Sequence, residues 1–487
     1  MSKLLFSHSY YYRFDPKQWK MAQPYPPLGT IFAASFMREN GHEVSLFDTN
    51  LVDSPDQIEV LIDAQKPDFL ILYDDGFNYL TKMCLTNMRE AAFKMAKMGK
   101  ERGCTVMVSS SDSTDHYEKY LHEGVDFVML GEAELTLKEL VTHIESGGSS
   151  FENIQGIAYK ANDEIKTTPK RPILRELDDL PQPAWDLIDI EPYRKIWIEN
   201  HGYFSLNIAT TRGCPYKCNW CAKPIYGNRY NSRSPQRVAD EIEYLINNFK
   251  PDHFWMCDDI FGLKPSWVQE FRDTVQERGL KFRYKIQSRV DLLLKEDTID
   301  ALTASGLEEV WVGAESGSQK ILDAMDKGTQ LEQIYEATRL LKKAGVRVAF
   351  FLQFGYLGET QEDIQKTIDM VTELVPDDIG ISVSYPLPGT GFYDKVKEDL
   401  KIKANWTDSD DLDMMFNGTY NRAYYKKLHR YVHKVFRRKQ GLENIKATLR
   451  NPFSANKRQL RSALATFYYI PALMMDKAKL KRLENPN

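Results

Sequence analysis

The sequence predicts an α/β chain: a Rossmann-like (flavodoxin-like) open parallel sheet, then a partial (β/α)6 barrel, then a helical C-terminal region. Three observations carry this reading. Short apolar runs alternate with helix-period segments over residues 1–145 and again from Phe204 onward; Pro and acidic residues break the alternation in between; strand signals stop after about residue 395. At 487 residues the chain can bury several cores without disulfide staples. Apolar residues at 42% and charged residues at 27% exclude wholesale disorder, and a net charge of -5 argues against a general nucleic-acid binder. Six cysteines are too few for an extracellular framework. The opening MSKLLFSHSYYY lacks a secretory apolar core, so a cytoplasmic chain is expected.

In residues 1–145 the runs KLLFSHS, HEVSLFD, DFLILYDD, TVMVSSS and DFVMLGE read as strands. Their ends carry Ser9, Asp48, Asp74, Ser110, Ser111, Gly131 and Glu132, where open α/β sheets bind ligands; polar loop ends of a purely structural sheet are the alternative. Residues 146–195 read as a connector, since Pro181 and Pro183 forbid a continuous helix. Residues 196–395 offer six strands, SLNIATT, HFWMCDD, FRYKIQS, EVWVGAE, VAFFLQF and IGISVSY, separated by amphipathic stretches such as VADEIEYLINNF. Residues 396–487 follow helical spacing. From Asn421 to Asn487 there are seventeen Lys and Arg against three acidic residues, which fits either a solvated face or docking to an anionic lipid surface or substrate. The uncharged stretch Ser462–Met475 contains Pro471 and is too short to span a bilayer.

The segment ATTRGCPYKCNWCAKP places Cys214, Cys218 and Cys221 in a loop after a strand, with Gly213 and Pro215 delaying any helix. Zinc is one reading, but a closed zinc site wants four ligands and no second CxxC or Cys/His pair follows. An iron-sulfur cubane on three cysteines leaves one iron open for a substrate or cofactor. Asp258 and Asp259 end one apolar strand, where they would face the barrel mouth; Glu315 and Ser316 end another, between Gly313 and Gly317, which permit close backbone approach.

The CxxxCxxC loop, with Trp220 before its last cysteine, resembles the radical S-adenosylmethionine (SAM) superfamily. SRSPQRVADEIEYL, CDDIFG, VGAESGS and YPLPGTGFYDKV extend the likeness. PYPPLGTIFAASFMRENGHEVSLFDTN, DFVMLGEAELTLKEL and LDDLPQPAWDLI resemble the branch with a cobalamin (B12)-binding domain ahead of the barrel, the magnesium-protoporphyrin ester cyclase-like and class B methyltransferase-like enzymes, over residues from about 20 to 400. The resemblance implies a [4Fe-4S] cluster on Cys214, Cys218 and Cys221, with SAM near Trp220, Asp258, Asp259, Gln287, Ser288, Arg289, Glu315 and Ser316. It implies cobalamin against the seven strand-end residues named above, an external electron donor such as flavodoxin or ferredoxin, a small-molecule or lipid-like substrate, and no nucleic acid. The implied reaction is C-methylation of an unactivated carbon through a 5'-deoxyadenosyl radical, with cyclisation or oxidative rearrangement as the alternative. A non-catalytic iron-sulfur and cobalamin sensor is the rival from another class.

Departures from the pattern are specific. The DxHxxG cobalt-ligating motif is absent and His42 reads as structural; SSSDST at Ser109–Thr114 stands where relatives read GGPHAT; FGYLGET at Phe354–Thr360 replaces a Gly-x-Pro-Gly turn. Cys84, Cys104 and Cys257 read as buried packing residues, and the lack of a second cysteine triad argues against a methylthiotransferase.

Overall fold

The structure is a computed structural model that describes residues 1–83, 85–400, 405–409, 411–412, 414–450 and 457–484. Cys84, expected on a helix, lies outside the described residues. The chain divides into two compact units: Met1–Tyr216 with Ala222–Ile286 and Asn405–Asp411, and Lys217–Cys221 with Gln287–Ala404 and Leu412–Asn487.

The first unit opens on a seven-stranded sheet. Its strands are β1 (Lys3–Ser7), β2 (Glu43–Phe47), β3 (Phe69–Tyr73), β4 (Thr105–Ser109), β5 (Phe127–Met129), β6 (Ile157–Ala161) and β7 (Glu164–Thr167), in the order β2-β1-β3-β4-β5-β6-β7. The first five pair in parallel, in the 2-1-3-4-5 order of flavodoxin-like folds. Period-two alternation explains why the runs read as almost wholly apolar. Leu5, Leu70, Leu72, Val106 and Val108 feed one core, while Leu4, Phe6, Phe69, Ile71 and Met107 feed the other, so both faces are covered.

The stretch read as a connector adds structure of its own. β6 and β7 form an antiparallel hairpin on the sheet edge, turned by Asn162 and Asp163 at φ 52° and 64°. Two left-handed residues in a two-residue loop match the twist of the flanking strands.

The same unit continues with β8 (Ser205–Ile208), the short antiparallel pair β9 (Thr211–Arg212) and β10 (Asn231–Ser232), then β11 (His253–Met256) and β12 (Arg283–Ser288), whose last two residues fall in the second unit. β11 pairs in parallel with both β8 and β12. In the second unit β13 (Leu307–Glu315), β14 (Arg347–Phe354) and β15 (Asp378–Val383) form a parallel ladder. All six runs predicted after residue 196 are thus strands, with helices such as Pro235–Phe249, Leu331–Lys343 and Gln361–Leu374 between them.

Two long helices, Arg422–Arg450 and Lys457–Glu484, follow. They cross closely at Gly441, where an added Cβ would lie 1.9 Å from Thr466 Oγ1. Lys427 and Lys434 on the first pair with the buried Asp476 on the second. Among the described residues no helix is long and apolar enough to cross a membrane.

Candidate functional site

The C-terminal edge of the first sheet gathers the polar strand ends the sequence singles out. The Ser9 backbone N–H and hydroxyl donate to Asp74 at 2.6 and 2.8 Å. Burial pushes the Asp74 carboxyl up to about 6, against the pull of the Ser9 bonds. Asp48 accepts from Tyr193 at 2.6 Å and lies 3.0 Å from His8 Nε2. Ser110 caps the short helix Ser111–Asp115 through Ser113. The Ser111 hydroxyl is buried without a hydrogen-bond partner among the described residues, as is that of Tyr10, which sequence reasoning missed. These two orphaned groups stand at strand ends where a polar ligand would satisfy them, and they are the local observation that fits a bound cofactor.

Gly131 takes φ 83° and donates to Thr114. Glu132 is engaged inside the chain: it accepts from Leu174 N and from Arg212, whose other terminal nitrogen reaches Glu134 at 2.7 Å. Burial raises the Glu132 carboxyl while Arg212 opposes the shift. The Arg212 guanidinium also lies 5.2 Å from the Tyr226 ring centre. This buried cluster fixes the residue two places before Cys214. At Gly213, with φ 78°, a Cβ would fall 2.3 Å from the Arg229 carbonyl oxygen, so only glycine fits.

Asp258 acts on the same stretch. Its carboxylate accepts from the Thr210 N–H and hydroxyl and from the Thr211 N–H at 2.5–2.8 Å, and burial pushes it up to about 6. Both oxygens are therefore spent on the approach to the cysteine loop. Asp259 pairs with Lys82. Cys257 is buried, with its thiol on the Ile208 carbonyl, and Cys104 is buried beside β4, as expected.

In the second unit the segment Lys217–Cys221 is pinned through Asn219, another residue the sequence did not flag. Its side chain donates to the Ala324 carbonyl and to Asp326 at 2.8 Å and accepts from Tyr356 at 2.7 Å; its backbone N–H donates to Met325 and its carbonyl accepts from Phe392 N. Cys221 N–H closes a turn on Cys218 O at 3.2 Å.

Two cations face Cys218. Arg289 Nη1 lies 3.9 Å from its sulfur and donates to Lys327 O, while Lys327 Nζ pairs with Glu315 at 2.8 Å and sits 5.9 Å from the Trp220 ring centre. Burial pulls the Lys327 ammonium down, but Glu315 and Cys218 outweigh it and leave it above its ordinary value. The Trp220 indole N–H is buried without a partner among the described residues.

Glu315 ends β13 at φ 56°, past a register shift that begins at Gly313. Ser316 lies 3.1 Å from the Thr367 hydroxyl and accepts from Ser318 N–H. A Cβ at Gly317 would strike the Lys366 carbonyl oxygen at 2.3 Å. Gln287 and Ser288 close β12, directly before Arg289. The structure thus brings Arg289, Glu315 and Trp220 together around Lys327.

Cys214, Cys218 and Cys221 each keep a half-exposed reduced thiol. Among the described residues no set of three Cys, His, Asp or Glu side chains is gathered as a metal site; the three thiols fall within eight residues, and Arg289 and Lys327 face the middle one.

Residues 208–371 match the family model of the radical SAM superfamily. The chain is 28% identical over 388 residues to an uncharacterized methyltransferase of Pyrococcus horikoshii, covering 78% of this chain and 81% of that one. It is 27% identical over 409 residues to the anaerobic magnesium-protoporphyrin IX monomethyl ester cyclase of Rubrivivax gelatinosus, covering 82% and 71%. Among solved structures it resembles the radical SAM methyltransferase TsrM of Kitasatospora setae, solved with cobalamin and a [4Fe-4S] cluster, at TM-score 0.67 and 18% identity over 82% of this chain and 75% of that one.

Proposed function

We propose, from the match of residues 208–371 to the radical SAM superfamily model, that this chain is a cobalamin-dependent radical SAM enzyme that methylates an unactivated carbon of a small molecule. The carrying observation is the Cys218 sulfur held by a pinned loop and faced by Arg289 and Lys327. With cluster, SAM and cobalamin bound, the cofactors supply radical hydrogen abstraction and a transferable methyl group.

The chain's own residues position and shield. Asn219 fixes the loop between Cys218 and Cys221, while Arg289 and Lys327 place positive charge beside the Cys218 sulfur. Glu315 orients Lys327, Gly313 leaves room for that ion pair, and Gly317 lets the backbone after β13 approach that of Lys366. Cys214, Cys218 and Cys221 would hold the cluster, and Trp220, Gln287, Ser288, Arg289, Glu315 and Ser316 would flank SAM. Asp258 positions Thr210 and Thr211. For cobalamin, the 2-1-3-4-5 sheet offers its C-terminal edge at Ser9, Tyr10, Asp74 and Ser111. The domain reading that goes with this is a cobalamin-binding part in residues 1–145 and a catalytic barrel in 196–395, served by an external flavodoxin- or ferredoxin-like donor.

Kinship to the ester cyclase favours a second reading, oxidative ring closure at the same site. Anaerobic reconstitution with iron, sulfide and hydroxocobalamin, followed by an assay for 5'-deoxyadenosine, tests the shared chemistry. A product heavier by one methylene group selects methylation, and loss of hydrogens selects cyclisation. A Cys218→Ala variant that retains SAM cleavage would sink the cluster assignment.

A further inference from the structure

The helix Lys457–Glu484 shows two opposed faces. One is buried: Thr466, Asp476 and Leu480, with Asp476 held by Lys427 and Lys434. The other is apolar and open. Leu464, Phe467, Tyr468, Pro471, Met474 and Met475 follow helical spacing, so they share one side. Leu464 and Met474 keep 72% of their surface exposed and Phe467 67%. A single exposed Leu means little, whereas a contiguous apolar stripe marks a contact surface.

Charge says what covers it. No charged residue occurs from Ser462 to Met475, yet the exposed Arg461 precedes the stripe and the exposed Lys477, Lys479, Lys481 and Arg482 follow it. At 1.5 Å per residue the stripe from Leu464 to Met475 is about 17 Å long, too short for a hydrocarbon core of about 30 Å. A second copy packed stripe to stripe would crowd like charges together. A bilayer surface with anionic headgroups accepts both features: the apolar side chains enter the acyl boundary and the flanking cations meet phosphate.

We infer that Lys457–Glu484 is an interfacial helix that docks the chain flat on an anionic lipid surface. The full-length chain is floated with vesicles of phosphatidylcholine alone and of phosphatidylcholine mixed with phosphatidylglycerol. Two variants are compared, one combining Phe467→Gln with Met474→Gln and one combining Lys479→Glu with Lys481→Glu. All four side chains are exposed, so both variants should keep the native circular dichroism and melting point. The wild type is expected to float with the anionic vesicles only and to release at high salt, and each variant to partition roughly tenfold less. The inference is overturned by absent flotation, by equal binding to neutral and anionic vesicles, by unchanged partition of the variants, or by a wild-type dimer in light scattering that the Phe467 and Met474 changes split.

Discussion

Glu359 follows β14 with no exposed surface; Gly355 N–H donates to its Oε2 at 2.6 Å, and its Oε1 has no partner among the described residues. Burial pushes its carboxyl from the ordinary 4.5 up to about 8. Between those values the folded chain keeps a proton that the unfolded chain has lost. Stability is therefore intact below about 4.5, falls as pH rises, and is fully reduced above about 8. A Glu359→Gln variant removes this contribution, so its melting temperature should exceed that of the wild type by more at pH 9 than at pH 5. Equal differences at both values would show that Glu359 does not titrate in this window. Asn219 supports a second expectation. Asn219→Ala deletes three side-chain bonds and should lower iron retained after anaerobic gel filtration severalfold, while circular dichroism stays native. The cysteine loop stood out because three thiols within eight residues are a local signal. Asn219 was not, since its side-chain partners Ala324, Asp326 and Tyr356 lie 105 to 137 positions along the chain. Lys327 was silent for the same reason: nothing around it in sequence announces a cation beside Cys218.

The strands show the same division between near and far at the level of elements. β3 and β4 were readable because both faces are covered, so every position is under apolar selection. β6 and β7 were missed because the hairpin lies on an edge. There Glu164 and Lys160 face water, and the Pro-rich segment just beyond dominates the local composition. The signal available was the Asn162–Asp163 turn itself. Both residues occupy left-handed backbone conformations that glycine adopts without cost. Asp163→Gly should stabilise the chain by several tenths of a kcal/mol, read as a small rise in melting temperature, and Asp163→Val should lower it. If the glycine variant melts earlier than the wild type, entropy lost in the hairpin outweighs the relief of the turn.

For the molecule as a whole, the sequence suggests that the first sheet and the later strands are joined by a connector near residues 146–195. Side chains within the first unit tie the two sides of that stretch together. Arg212 rests on Glu132 and Glu134; Trp197 Nε1 donates to Pro24 O at 2.8 Å; Asn207 donates to Pro26 O at 3.0 Å; Trp185 on the connector donates to Glu241 at 3.2 Å. A chain begun at residue 196 would leave the Arg212 guanidinium without either carboxylate. Breaking a buried ion pair from one side costs about 3–5 kcal/mol, which is of the order of a domain's whole stability. Such a fragment is expected to be insoluble or to melt without cooperativity, although the six predicted strands and the three cysteines of the Cys214–Cys221 loop are present. Within the full chain, Arg212→Met should lower the melting temperature by several degrees, and adding Glu132→Gln and Glu134→Gln should recover part of the loss, because three neutral side chains replace two stranded carboxylates. A fragment that folded with a sharp transition would mean that the later strands need no support from the first sheet, and the Arg212 cluster would then be a local anchor for Gly213 and Cys214 alone.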